Sequence, residues 1–274
     1  VIEVENFMYE LPPYVKFQNY DVRKLKFNYI KQELLWYLRH NVHDTSIVNF
    51  ASIWKDLIQP NGTINSNYGA HLFASKNRET SQFLNVIDIL RKDADSRRAS
   101  MVILTDSHLL CDIDVPCTYS LNFRIRNNKL NMTVHMRSQD AIFGMGNDAP
   151  AFSMIHEMVL NMLEADYPEL TLGNYTHFAD SFHVYERHFE LLEKIVSGEA
   201  KFTEVEIPRI YNKHEVLFML TDLHCCYELG KQYNAYANSR MGYKSISLYS
   251  NIDDAININN EYQFSKWLLT KDNE

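Results

Sequence analysis

The sequence predicts a mixed helix-and-strand protein built as one domain, and three observations predict it. Residues 24–40 and 80–92 repeat apolar side chains at the helical period. Residues 118–126 and 129–137 alternate with period two on either side of Asn127-Asn128. Residues 99–105, ASMVILT, read as a buried strand.

The elements follow in order. The helical stripe in 24–40 is Leu25, Phe27, Ile30, Leu34, Leu35 and Leu38; that in 80–92 is Phe83, Val86, Ile87 and Leu90. Between them, Asn61, Gly62 and Asn65–Asn67 mark a turn region. Asparagine tolerates positive φ, so Asn127-Asn128 suits a two-residue hairpin turn. That turn sets Arg126 opposite Lys129 and Thr118 opposite Arg137, and brings Cys117 beside Ser138 at the open end. Residues 149–165 are predicted helical, with Pro150 early, where a missing N–H is tolerated. A strand over 170–179, a helix over 183–196, and helices over 213–230 and 253–269 complete the reading.

Composition excludes several classes. The 274 residues carry a net charge of −8 and no Lys/Arg-rich block, which argues against a grip on long nucleic acid. A small anion remains open, because two or three arginines suffice for one phosphate. The four cysteines, Cys111, Cys117, Cys225 and Cys226, form neither a disulfide framework nor a zinc-type pair, so no metal is expected. No apolar run approaches the roughly 18 residues that span a bilayer, and no signal peptide is visible. A reducing, cytoplasmic setting is the expectation. The chain opens on Val1 rather than Met, which reads as a few missing residues.

Single signals are weak. Cys117 follows Pro116 at a strand start beside arginine, which favours the thiolate over a free thiol of pKa about 8.5; a small buried core residue is the competing reading. Arg97-Arg98 suit a phosphate or an ordinary solvated turn. Arg137 and Ser138 offer a guanidinium and a hydroxyl. Asp148, after the Gly144–Gly146 loop, is readable as a helix N-cap. His183, Tyr185 and His188 lack metal-pair spacing.

The order of these signals is more specific. Glu33-Leu-Leu-Trp36, Ile53-Trp54, Asn67-Tyr68-Gly69, Asp95-Ser-Arg-Arg98, Pro116-Cys117, Arg137-Ser-Gln-Asp140 with Gly144, and His183-Val-Tyr185 follow one another as in the thymidylate synthase family. Across most of residues 28–190 the chain resembles that family. Ile64-Asn-Ser-Asn-Tyr-Gly69, Met136-Arg-Ser and Phe143-Gly144 are more similar to its phage branch, which hydroxymethylates deoxycytidylate. Two departures from the synthase pattern stand out: Thr118 follows the cysteine where synthases have His, and Asp148, after Asn147, replaces a base-reading Asn.

The resemblance implies an α+β fold with a large bent mixed sheet flanked by helices, pairing sheet-to-sheet in a homodimer. It implies one thymidylate synthase-like domain over 1–274, with 200–274 a divergent C-terminal extension. It implies dCMP and 5,10-methylenetetrahydrofolate as substrates, with a dCMP methyltransferase or a dUMP or CMP enzyme as alternatives; a non-catalytic nucleotide-binding relative is a further one. Cys117 would add to pyrimidine C6. Arg97, Arg98, Arg137 and Ser138 would bind phosphate, with Arg97 and Arg98 reaching the partner's site. His183 and Tyr185 would hold the deoxyribose hydroxyl. Asn147 and Asp148 would face the base, and Glu33 would organise water and proton transfer. Tyr68 would lie near the thiol, and Trp54, Asp140 and Gly144 would face the folate. The family's N-terminal phosphate-binding arginine has no counterpart in residues 1–22.

Overall fold

The computed structural model describes residues 1–14, 19–23, 25–75, 80–203, 205, 207–221, 223 and 262–270. Five strands form one mixed sheet: β1 (Ile2–Leu11), β2 (Ser100–Val102), β3 (Thr118–Arg126), β4 (Lys129–Asp140) and β5 (Thr171–Val184), in the order β1-β5-β4-β3-β2. All neighbours are antiparallel except β4 and β5, which run parallel. A parallel pair needs a crossover, and α4 (Gly144–Met162) supplies it, packing on both strands. The other helices are α1 (Phe27–Leu38), α2 (Tyr68–Leu72), α3 (Gln82–Lys92), α5 (Phe189–Val196), α6 (Lys213–Leu220) and α7 (Gln263–Leu269). None of the described helices is long and apolar enough to cross a membrane.

The period-two alternation places one face of the sheet in the core. Leu121 and Phe123 of β3, Leu130, Met132, Val134 and Met136 of β4, and Ala179 of β5 are all buried. Each large apolar side chain so buried contributes about 1.5–3 kcal/mol. The opposite face is polar and half-open: Tyr119 donates to Asp180 (2.9 Å), and Arg124 to Thr133 (3.0 Å). The β3–β4 turn has φ of 53° at Asn127 and 55° at Asn128, the paired left-handed conformation that a two-residue hairpin requires.

Several boundaries differ from expectation. β1 went unread, because its charges are interleaved with apolar residues on both faces of an edge strand. The helix placed at 149–165 begins at Gly144, so Pro150 lies inside it and Gly146 loses the N–H its carbonyl would otherwise receive. β5 runs to Val184, past the expected end at 179, and the helix placed at 183–196 starts only at Phe189. The readings at 213–230 and 253–269 extend beyond the described residues; within these, the chain is helical at α6 and α7, tied together where Glu215 accepts from Ser265 N–H (2.9 Å) and its hydroxyl (3.1 Å). Cys225 and Cys226 also lie outside the described residues.

Gly69 marks the tightest helix contact. A Cβ added there would stand 1.8 Å from the Tyr37 carbonyl oxygen, so α2 would have to leave α1. Gly69→Ala is expected to lower stability by about 3 kcal/mol, read as a fall in Tm; an unchanged Tm would show that the two helices separate freely.

Candidate active site

Pairing between β3 and β4 delivers the thiol. The expected register holds from Arg126↔Lys129 to Ser120↔His135, then shifts by one, so Thr118 faces Met136 rather than Arg137. The irregularity at Tyr119 is a bulge, which adds one residue to β3 and re-aims what precedes it. Cys117 therefore lies beside Arg137, not Ser138: its carbonyl accepts from the Arg137 backbone N–H (2.8 Å). The Arg137 guanidinium donates to the carbonyls of Pro116 (3.1 Å) and Val115 (2.8 Å), pinning the turn before the cysteine. The thiolate that arginine was expected to favour at Cys117 meets a competing effect. Burial pushes the thiol above its ordinary value, Arg137 opposes this, and Asp148 and Asp114 add to it.

Asp148 lies near both the thiol and Glu33. Glu33 of α1 is 5% exposed and accepts from the Tyr29 hydroxyl (2.8 Å), which accepts from the Trp54 indole N–H (3.0 Å). Burial, then the nearby Asp148 charge, raise Glu33 to about 8. Asp148 is half-buried on α4. Burial raises it to about 7, Asp140 adds to this, and the Gln139 amide opposes it. Its N-cap reading fails: Phe143 precedes the helix without a side-chain cap, and Asp148 is the fifth residue inside α4. An acidic group enclosed within a helix is a poor choice for stability and a frequent mark of a functional site.

These acids set a pH dependence of stability. Both hold their proton more tightly folded than unfolded, where their values are 4.5 and 3.8. From about pH 4 to 8 the folded state binds more protons, so their contribution is full below the unfolded values and lost as pH rises through about 7 and 8. Chemical denaturation should therefore show stability falling between pH 5 and 8. In Glu33→Gln/Asp148→Asn that slope should flatten; an unchanged slope would assign the titration elsewhere.

The carboxyl ends of the parallel pair gather other expected residues. Ser138 pairs with Ser181 and Asp140 with His183. Asp140 accepts from the N–H of Ile142 (2.9 Å) and of Phe143 (3.4 Å), shaping the turn into α4. Gly144 is close to both acids, since a Cβ there would lie 3.3 Å from Asp140 Cβ and 3.8 Å from Asp148 Oδ2. Asn147 is half-buried on α4. His183, read as near a helix start, is instead on β5, and its Nδ1 lies 3.4 Å from the Ser181 hydroxyl. Tyr185 follows the strand, half-exposed beneath the Arg187 guanidinium, 4.5 Å away. Tyr68 is buried near Cys117, and stacks on Tyr37 (5.4 Å).

Arg97 and Arg98 are not brought to this cluster. They are exposed and precede β2, whose Ser100 pairs with Asn122. At about 3.4 Å per residue along β3, they stand roughly 20 Å from Cys117. Sequence reading instead missed Arg23, one residue beyond the stretch searched for an N-terminal arginine. It is 7% exposed, donates to the Phe143 carbonyl (3.4 Å), and occupies the space a Cβ on Gly146 would need. Burial lowers its pKa to about 10, against the opposing charge of Asp140, so it remains a cation at neutral pH. The Gly144–Gly146 pair was the available signal, because glycine permits such close approach.

Residues 9–227 match the family model described as thymidylate synthase, and the chain belongs to that family. It is thus an enzyme of the one-carbon transferase type, in a family that uses methylenetetrahydrofolate as co-substrate. Among curated relatives, the deoxycytidylate 5-hydroxymethyltransferases of Enterobacteria phages T6 and T4 are 32% and 31% identical over 174 residues, spanning 60% of this chain and 70% of theirs. The thymidylate synthase of Buchnera aphidicola subsp. Acyrthosiphon pisum (strain Tuc7) is 29% identical over 196 residues, spanning 68% of this chain and 67% of its own.

Proposed function

We propose that the chain hydroxymethylates dCMP at C5, with Cys117 as nucleophile and Asp148 reading the base. The observation that carries this reading is an enclosed carboxylate at 148, close enough to Cys117 to act on its ionisation. Cytosine presents an amino donor at N4, which a carboxylate accepts, whereas uracil presents an O4 acceptor.

The site's surfaces fit a folate. A pterin needs an aromatic wall and a polar edge; Trp54 and Asp140 are both partly open and supply them, with Gly144 leaving room alongside. When bound, 5,10-methylenetetrahydrofolate supplies the one-carbon unit. The Cys117 sulfur forms a bond to pyrimidine C6, and the electron pair displaced makes C5 nucleophilic. Arg137 and a bound phosphate reorganise the field around the thiol in opposite senses, so its activation depends on the guanidinium that already opposes burial. Glu33, raised to about 8, is mostly protonated at neutral pH; its ionised fraction is suited to take the C5 proton, and its protonated form to direct water for the hydroxyl group. Expulsion of the Cys117 thiolate restores the aromatic ring.

Arg23, Arg137 and Ser138 are proposed to hold the phosphate, and His183 and Tyr185 the deoxyribose hydroxyl, with Asn147 beside the base and Tyr68 behind the thiol. Arg97 and Arg98 are proposed to complete the site of a second copy, paired through the half-open outer face of the sheet. Their distance from their own Cys117 supports that role. Incubation with methylenetetrahydrofolate and dCMP, dUMP or CMP tests the reading. Hydroxymethyl-dCMP with release of tetrahydrofolate is expected; a methylated product with release of dihydrofolate, or turnover of dUMP alone, would favour a synthase.

A further inference from the structure

Behind Asp148 lies a chain of hydrogen-bonding groups that the proposed chemistry does not use. The Tyr9 hydroxyl of β1 donates to Gln139 Oε1 of β4 (3.3 Å). Gln139 is 2% exposed, and its Nε2 has no hydrogen-bond partner of ordinary geometry among the described residues. An unsatisfied amide N–H this deep is costly, so its position calls for an explanation. Nε2 is turned towards Asp148, whose ionised form it favours. Further back, Tyr175 acts as a donor towards Tyr9, and its oxygen lies 2.7 Å from His177 Nδ1. Burial keeps His177 neutral, and its ring is stacked on Tyr9 at 4.8 Å. Towards the site the donors run from Tyr175 to Tyr9 and from Tyr9 to Gln139.

That direction fixes the amide. With its oxygen held by the Tyr9 hydroxyl, Gln139 can show Asp148 only its N–H side. Resting on the reading of Asp148 as the base-reading group, we propose that Tyr9 and Gln139 are positioning residues for base choice: they hold Asp148 as a hydrogen-bond acceptor and so exclude uracil. An ionised carboxylate accepts from cytosine N4 and repels the lone pairs of uracil O4. A protonated one can donate to O4 and admit the wrong base. Loss of the Tyr9 hydroxyl frees the amide to turn its oxygen to Asp148, which favours the protonated form.

The groups facing Asp148 come from every packed element. α1 brings Glu33, Tyr29 and Tyr37, and α2 brings Tyr68. Cys117 precedes β3, Asp140 ends β4, and β1 and β5 add Tyr9 and Tyr175. Titration of Glu33 or Cys117 alters the chemistry on either base alike and cancels in the ratio of the two kcat/KM values. The preference for dCMP over dUMP should therefore rise with pH as Asp148 ionises.

The test compares Tyr9→Phe, Gln139→Leu and Asp148→Asn with wild type, using dCMP and dUMP across pH 5.5–9, with melting curves as a check of folding. Tyr9→Phe keeps the ring on His177 and is the milder change. In Tyr9→Phe and Gln139→Leu, the dCMP/dUMP ratio at pH 7 should fall about tenfold, the effect of one lost hydrogen bond, and its rise should move to higher pH. A merely structural role would slow both substrates together. If both variants keep the ratio and its pH midpoint while Asp148→Asn changes the ratio, the proposal is overturned and the base-reading assignment stands. If Asp148→Asn leaves the ratio unchanged, the base-reading assignment fails, and the proposal with it.

Discussion

Asp148→Asn is expected to turn a dCMP enzyme towards dUMP, changing the ratio of kcat/KM values by about 10⁴. An amide can donate to uracil O4 and accept from N3–H, while a carboxylate accepts from the cytosine amino group. The effect is large because the mismatched base leaves an enclosed polar group unpaired, not merely one bond short. Asp148 titrates near 7, raised first by burial. The wild-type ratio should therefore vary with pH around neutrality, and the amide variant should lose that variation. Steady-state kinetics with both nucleotides provide the check, and a ratio that is unaltered by the substitution would remove residue 148 from base recognition.

Cys117→Ala is expected to reduce kcat by about 10⁴-fold or more, the scale seen when a covalent nucleophile is removed. KM for the nucleotide should change little, because the phosphate and sugar contacts are made by other residues. Cys117→Ser should be almost as inactive, since a hydroxyl ionises far less readily than a thiol. Burial favours the protonated thiol. The pH profile of thiol alkylation should therefore lie above that of a free cysteine. A Cys117→Ala enzyme within tenfold of wild type would exclude covalent addition by this residue.

What the sequence made legible was local. Alternation on both sides of Asn127-Asn128 specified a hairpin, because period-two burial and a left-handed turn are both encoded within a few residues. The same alternation could not announce the bulge at Tyr119, which decides that Cys117 meets Arg137. A bulge is selected by what must be aimed at the strand end, and residue propensity carries little of that. Asp148 was legible as a departure from the family's pattern but misread locally as a cap, because the helix start at Gly144 breaks the expected proline position. Arg23 was missed because it comes from a segment remote in sequence and reaches α4 only in the tertiary structure. The Tyr9–Gln139 contact joins β1 to β4 across β5, a neighbour relation that only the strand order supplies.

The proximity of sulfur, ring and carboxylate is most directly measured in a crystal structure with dCMP bound. The expected density places Cys117 Sγ against pyrimidine C6 and an Asp148 carboxylate oxygen within hydrogen-bonding distance of N4. A ring bound with C6 away from residue 117, or an amino edge facing solvent instead of residue 148, would contradict both the nucleophile and the base reader.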